Sequence, residues 1–206
     1  ASTILKKTIN NFKDFKTESE VAAFLNYETN KLGLVTAFDP IVASGSNGSI
    51  PHYVPKNTRL KGGFCFMDFG VKYKGYCSDI TRTIYLGNAG KKEIEIYNFL
   101  LKMQQEIIDD VRINGRCGKI YDNCVKSLKE YSKYFIHGLG HGVGVEIHEL
   151  PSLSLDSKDR IAENMAFTIE PGIYLPKRFG IRIEDTILMK RKAVALTSVT
   201  KDLLII

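Results

Sequence analysis

The sequence predicts an α+β fold in which helices pack on an antiparallel sheet. Three observations support this: helical periodicity in the N-terminal and central parts, β-prone runs elsewhere, and turn residues that connect neighbouring runs. With 206 residues, 44% of them hydrophobic and 25% charged, the chain has the composition of an ordinary globular domain. No low-complexity stretch or linker interrupts it, so residues 1–206 are expected to form a single domain.

The predicted elements follow one another from the N-terminus. Thr17 and Glu20 form a capping box, which starts a second helix after a break near residues 13–17. A turn near residues 73–75 folds one β-rich run into a hairpin. In chain order the elements are two helices within residues 3–32, a loop-rich segment over 42–55, the β-rich run over 60–86, helices over 91–111 and 120–133, β-prone segments over 137–189, and a final strand over 203–206.

The distribution of charge argues against several classes of protein. Lys and Arg total 29 against 23 Asp and Glu, which gives a formal net charge of +6, but the basic residues are scattered among acids. A nucleic-acid-binding face would concentrate them, so no nucleic-acid partner is predicted. No apolar run is long enough to cross a bilayer, so no membrane partner is predicted either. The four cysteines show no CxxC spacing, and we expect reduced thiols in a cytoplasmic protein.

Two aspartates lie in otherwise apolar β-prone runs, where an ionised carboxylate needs a partner. A simple hairpin about the turn near Lys74 places Asp68 directly opposite Asp79, and a bulge would shift this register. Facing carboxylates repel one another unless they share a proton or hold a cation. The alternative is that Asp79 caps a turn and Asp68 pairs with Arg82. The hairpin by itself leaves both interpretations open.

Two glutamates repeat this arrangement further along the chain. Glu170 and Glu184 flank a connection centred near Lys177, and a simple hairpin brings them together. Arg182 lies two residues before Glu184, hence on the same face of a strand, where its guanidinium group could hold a carboxylate. Each glutamate taken alone is more typical of a surface strand residue than of a functional site. A second pair of acids in an apolar context favours a shared function.

Three of the four histidines fall within twelve residues, at His137, His141 and His148, and the fourth, His52, follows Pro51. Glycines between the clustered histidines allow backbone and imidazoles to approach a common centre. Several carboxylates with an imidazole are too acidic for a structural zinc site. They suit a centre of two ions such as Mn, Co, Fe or Zn, whereas imidazole is a poor ligand for calcium.

Taken together, these residues resemble the catalytic domain of the pita-bread metallopeptidases, in the proline-peptidase branch of Xaa-Pro aminopeptidase and Xaa-Pro dipeptidase. The stretch HGLGHGVGVEIHE agrees with the signature of that branch, and MDFG, SDITRT, TIEPGIY and RIED supply the rest of the metal pattern. The resemblance implies a curved antiparallel sheet with helices on its outer face. The separate N-terminal domain of the family is not seen before Ala1, so we expect the catalytic domain alone.

The resemblance also implies a set of site residues around two divalent ions, with Mn²⁺ preferred and Co²⁺, Zn²⁺ or Fe²⁺ as alternatives. The metal ligands it implies are Asp68, Asp79, His141, Glu170 and Glu184, with Asp79 and Glu184 bridging the ions. It implies catalytic roles for His52, His148 and Glu170, and substrate-binding or ligand-supporting roles for His137 and Arg182.

The implied reaction is hydrolysis of the bond between an N-terminal residue and proline, by a water or hydroxide that bridges the two ions. The implied substrate is a peptide or dipeptide with proline at the second position, and a homodimer is compatible with the resemblance. Two alternatives are a methionine-aminopeptidase-like activity and a non-catalytic binding module of the same fold. The first is disfavoured by the proline-peptidase signature, and the second by the complete ligand set.

Overall fold

The computed structural model describes residues 1–206, which form four α-helices and thirteen short strands. The helices are α1 (Ser2–Asn10), α2 (Glu18–Lys31), α3 (Lys91–Asp110) and α4 (Cys117–Ser127). The strands are β1 (Val35–Thr36), β2 (Ile41–Ser44), β3 (Gly63–Phe69), β4 (Val71–Tyr73), β5 (Tyr76–Cys77), β6 (Ile80–Leu86), β7 (Gly140–Gly142), β8 (Glu149–Leu153), β9 (Ala166–Ile169), β10 (Gly172–Leu175), β11 (Phe179–Arg182), β12 (Asp185–Met189) and β13 (Ala193–Ala195).

Every pairing between named strands is antiparallel. One sheet has the order β2-β3-β6 and a larger one the order β13-β12-β9-β7-β8, while β1-β4-β5 and β10-β11 form two smaller sheets. Helices and antiparallel sheets in this arrangement confirm the predicted α+β class. The Thr17 capping box that starts α2 is also present.

The first hairpin differs in register from the simple prediction. Tyr73 pairs with Tyr76, so the turn consists of Lys74 and Gly75, both with positive φ (49° and 86°). A two-residue turn of this kind matches the twist of the strands. It moves the register by two residues, so that Asp68 faces Thr81 rather than Asp79. Because Asp79 and Thr81 are two residues apart, the two aspartates still lie on the same face.

The second hairpin has the predicted register. Gly172 pairs with Arg182 in the β10-β11 ladder, and Ile169 pairs with Asp185 in the β9-β12 ladder. Glu170 and Glu184 occupy the gap between these two ladders, at opposing positions. Both glutamates are therefore set where the chain passes from one sheet to the next.

Two sequence-based boundaries were wrong. The second central helix begins at Cys117 and ends at Ser127, and residues 129–134 form a separate 3-10 helix. Residues 203–206 make only a single parallel bridge, Ile205 to Tyr85, rather than a full strand. The last residues lie at the outer edge of β6, where Tyr85 and Gly87 donate backbone hydrogen bonds to Leu204 and Ile206.

The hydrophobic interior has two main parts. One cluster of 14 buried residues packs α1 and α2 against the β2-β3-β6 sheet, and a second of 22 buried residues packs α3 and α4 against the larger sheet. None of the helices has the length and apolar composition that a membrane span requires. The acids and histidines singled out above lie where these two packed halves meet.

Candidate metal centre

The fold brings the five predicted metal ligands and the four histidines to the same cleft, which has a volume of about 540 Å³. The two aspartates come from the first hairpin, and the two glutamates from the second. His141 is the middle residue of β7, in the larger sheet. Ligand atoms of Asp79, His141 and Glu184 lie within 4.8 Å of one another. Residues separated by more than a hundred positions thus converge on a space of the size of a metal site.

The imidazole of His141 is oriented toward the carboxylates. Its Nδ1 lies 3.0 Å from the carbonyl oxygen of Gly142, which can only accept, so Nδ1 carries the proton. The lone pair of Nε2 then points into the cleft, 3.6 Å from Asp79 Oδ2 and 3.4 Å from Glu170 Oε1. Burial lowers the pKa of His141, which favours this neutral form. A lone pair facing two carboxylate oxygens is the arrangement of a metal ligand.

Arg182 is the single permanent cation among the residues that line the cleft. Its Nη2 donates to Asp68 Oδ2, its Nη1 donates to Tyr174 Oη at 2.8 Å, and its Nε donates to Thr81 Oγ1 at 3.2 Å. Asp68 therefore pairs with Arg182. The alternative interpretation of the hairpin, in which Asp68 pairs with Arg82, was wrong. Arg82 instead pairs with Asp185 at 2.7 Å.

Two carboxylate oxygens in this cleft are buried without a hydrogen-bond partner, Asp68 Oδ1 and Asp79 Oδ1. An unpartnered buried carboxylate oxygen is costly, and native proteins rarely leave one unless a ligand or ion completes it. Arg182 does not complete either oxygen, because its Nη2 donates to the other oxygen of Asp68, Oδ2, and its Nε and Nη1 donate to Thr81, Pro51 and Tyr174.

The pKa values of three acids in the cleft also indicate negative charge that the protein does not balance. Burial, then the charges of Glu184 and Asp68, raises the pKa of Asp79 well above its usual range. Burial, then Glu170 and Asp68, does the same for Glu184. Burial raises the pKa of Glu170 to about 7, although Arg182 opposes the shift. Mutually repelling, desolvated carboxylates with open oxygens and an aimed imidazole lone pair fit divalent cations.

The other predicted residues line the same cleft. His137 Nδ1 donates to the Gly138 carbonyl at 2.7 Å, which leaves Nε2 to accept from Tyr174 Oη at 2.8 Å. Burial, then the charge of Arg182, lowers the pKa of His137 to about 3, so its ring is neutral. His148 stacks edge-on against His141 with ring centroids 4.3 Å apart. His52 and His148 are both exposed at the mouth of the cleft.

Three hydroxyl groups that support the site were missed from the sequence. Thr81 donates to Glu184 Oε2 at 2.6 Å, Thr168 donates to Glu170 Oε1 at 3.2 Å, and Tyr174 links Arg182 to His137. A signal existed for the threonines, since each lies two residues from a predicted ligand on the same strand face. Tyr174 had no such signal, because its contacts depend on how β10 and β11 fold back.

Comparison with known proteins gives a consistent result. The model of metallopeptidase family M24 matches residues 1–191. The Xaa-Pro dipeptidase of Pyrococcus furiosus is 40% identical over 210 residues, which cover 99% of this chain and 60% of that protein. The chain thus spans about 60% of the length of that curated relative.

Solved structures agree in fold. The prolidase of Pyrococcus horikoshii superimposes with a TM-score of 0.92 at 37% identity, covering 99% of this chain and 61% of that one. The X-Pro aminopeptidase of Thermotoga maritima gives a TM-score of 0.92 at 32% identity, covering 100% and 61%. The curved antiparallel sheets with helices outside them are therefore the pita-bread arrangement that the resemblance implied.

Proposed function

Since the chain belongs to metallopeptidase family M24, we propose that it is the catalytic domain of a metal-dependent exopeptidase that cleaves between an N-terminal residue and proline. The observation that carries the proposal is the cluster of Asp79, His141 and Glu184, with ligand atoms within 4.8 Å of one another. The preference for proline is supported by the relatives, which are named Xaa-Pro dipeptidase and X-Pro aminopeptidase.

Two divalent ions would be held by the five predicted ligands, Asp68, Asp79, His141, Glu170 and Glu184, all of which line the cleft. Four of the five donors are hard carboxylates, which supports Mn²⁺ over softer ions. When bound, such ions act as Lewis acids on the substrate carbonyl and lower the pKa of water.

The protein's own groups have separate tasks in this proposal. Glu170 takes a proton from the attacking water and delivers it to the proline nitrogen as the carbon–nitrogen bond breaks. His148, exposed beside His141, donates to the carbonyl oxygen on which negative charge develops. His52 contacts the substrate at the mouth of the cleft. Arg182 holds Asp68 in place. His137 is kept neutral by burial, which lowers its pKa, and is oriented by Tyr174.

The proposal is tested by stripping the protein with a chelator and measuring hydrolysis of Ala-Pro-Ala and Ala-Pro after addition of Mn²⁺, Co²⁺ or Zn²⁺. We expect no turnover without metal and the highest turnover with Mn²⁺. The variant His141→Ala should show neither metal uptake nor activity. The variant Asp14→Asn, at an exposed position outside the cleft, should behave like the wild type. Inertness of the metal-loaded wild type toward both peptides contradicts the proposal.

A further inference from the structure

Residues 37–39 form an irregular excursion beside the metal centre. Thr36 pairs with Val71, and Ile41 pairs with Asp68. Four residues therefore lie between the paired positions on one side, and only two on the other. Two extra residues are therefore accommodated opposite Gly70. Irregularities of this type re-aim side chains at the edges of functional sites.

The excursion places Phe38 and Asp39 differently. The ring of Phe38 lies over Gly70, 2.9 Å from where a Cβ of that residue would stand. Asp39 is exposed and lines the cleft. Its carboxylate has no hydrogen bond or ion pair within the protein. It is the only acid lining the cleft besides the four acidic residues among the five proposed metal ligands.

The mouth of the cleft differs in charge from one side to the other. Asp39 is exposed on the side of the first hairpin, just before β2. The side formed by β7 and β8 presents Ser152, together with the backbone of Gly138 and Gly140, whereas Glu170 and Glu184 lie deeper, among the proposed metal ligands. No lysine lines the cleft, and Arg182 is buried with its donors committed. An exposed carboxylate at the mouth is thus free to meet a cation from outside.

From this geometry we infer that Asp39 is a specificity-determining residue that selects substrates with a basic side chain before proline, an inference that rests on the proposed function. The reacting carbonyl of the N-terminal residue would lie at the proposed metal ligands, in the depth of the cleft. The side chain of that residue extends toward the mouth of the cleft, where Asp39 is the acid that no proposed ion engages. A lysine or arginine there gains an ion pair that a neutral side chain lacks.

The experiment compares Lys-Pro-Ala with norleucine-Pro-Ala, because norleucine has a similar length and no charge. For the Mn²⁺-loaded wild type, kcat/KM should favour lysine by about two- to five-fold at low salt, the range of an exposed ion pair. The ratio should fall toward one as ionic strength rises. In Asp39→Asn the ratio should be close to one at all salt concentrations, and Asp39→Lys should instead favour Glu-Pro-Ala over norleucine-Pro-Ala.

The control variant is Asp14→Asn, which removes the same charge from the surface outside the cleft and should keep the wild-type ratio. Calorimetric binding of lysine amide and norleucine amide gives the same comparison without turnover. A wild-type ratio of one or less, or an unchanged ratio in Asp39→Asn, overturns the inference while leaving the peptidase proposal intact. Absence of hydrolysis of every Xaa-Pro peptide defeats the peptidase proposal itself.

Discussion

At the scale of single residues, the carboxylates of the candidate metal centre repel one another unless a cation or a proton neutralises them. Glu184 is 1% exposed, and its Oε2 accepts a hydrogen bond from Thr81 at 2.6 Å. Burial and the neighbouring acids raise its pKa, so the metal-free protein favours the neutral form of this side chain. The residues that make a good metal site therefore make an unfavourable empty one.

A glutamine at this position should stabilise the metal-free protein, because it imitates the neutral form and still accepts from Thr81. We expect Glu184→Gln to raise Tm in the presence of a chelator by about 2–4 °C, equivalent to about 1 kcal/mol for a chain of this length. The same variant should lose the increase in Tm that Mn²⁺ gives to the wild type. Differential scanning calorimetry with and without metal measures both effects.

Glu163→Gln, at an exposed turn outside the cleft, is the matched control and should leave both values unchanged. A lower Tm for Glu184→Gln in chelator would show that the carboxylates do not repel one another in the folded state.

Residue identity and spacing predicted much of this site, because acids in apolar strands and clustered histidines are unusual on physical grounds. Asp68, Asp79, Glu170 and Glu184 all reached the cleft although the register of one hairpin was wrong by two residues. Side chains alternate between the two faces of a strand, so a register shift of two residues leaves each side chain on its predicted face. The two aspartates therefore remained on the same face. Tyr174 could not be predicted, since tyrosines are common and its role appears only in three dimensions.

At the scale of elements, a buried ion pair fixes β12 against β6 and the C-terminal segment. Arg82, 2% exposed, donates to Asp185 Oδ1 at 2.7 Å and to the carbonyls of Val199 and Glu184. Lys201 Nζ lies 2.8 Å from Asp185 Oδ2. Since Glu184 precedes Asp185, the same contacts hold the backbone of a proposed metal ligand.

Removing the carboxylate of Asp185 should lower the free energy of unfolding strongly, because it leaves Arg82 buried without its counter-ion. We expect Asp185→Asn to lose about 3–5 kcal/mol of unfolding free energy at pH 5, measured by urea denaturation in chelator. The control Glu95→Gln breaks only an exposed pair with Lys91, 3.8 Å long, and should change stability by less than about 0.5 kcal/mol. Equal effects of the two substitutions would contradict a structural role for the buried pair.

The same residue predicts a pH dependence. Burial alone raises the pKa of Asp185, but Arg82, Lys201 and Thr197 outweigh it and lower the pKa to about 2. A lowered pKa stabilises the fold above the unfolded value of 3.8 and loses that contribution as pH falls toward 2. The stability difference between wild type and Asp185→Asn should therefore shrink by about 1 kcal/mol between pH 5 and pH 3. A difference that stays constant over this range would rule out the lowered pKa.

The loop that carries His52 is placed by a contact between two glycines. Gly48, in the 3-10 helix of residues 45–49, lies against Gly180 of β11, and a Cβ on Gly180 would overlap the carbonyl oxygen of Gly48. Gly180→Ala should cost about 1–3 kcal/mol and lower kcat/KM, because the loop must move away from Arg182. Gly62→Ala is the control, since its Cβ would have its nearest neighbour at 3.6 Å. Wild-type activity in Gly180→Ala would show that the loop is not placed by this contact.

Elements defined by local signals were predicted more accurately than those defined by distant contacts. The start of α2 follows from its capping box, and α3 was placed to within one residue. The segment over residues 203–206 is apolar and resembles a strand, yet it forms one bridge at the edge of β6. Its conformation depends on the space left beside Tyr85, which local sequence does not encode.

At the scale of the whole molecule, the metal centre lies across the junction of the two packed halves. Asp68 and Asp79 belong to the half that contains α1 and α2, whereas His141, Glu170 and Glu184 belong to the half that contains α3 and α4. The backbone joins the halves sparingly here, for example by the Glu184 amide, which donates to the Thr81 carbonyl at 3.2 Å. A cation bound by ligands from both halves would act as a cross-link between them.

Metal binding should therefore slow hydrogen exchange at the junction more than in either of the two hydrophobic clusters. At a free metal concentration of 100 times Kd, binding adds about 2.7 kcal/mol to the unfolding free energy. Hydrogen exchange followed by mass spectrometry should show slower exchange in peptides covering Thr81 and Glu184 when Mn²⁺ is added to chelated protein. Peptides from α1 are far along the chain from every proposed ligand. Their exchange rates should change only as much as the increase in global stability requires. Protection confined to the His141 side would mean that the ions are held by one half alone, and the cross-link would be disproved.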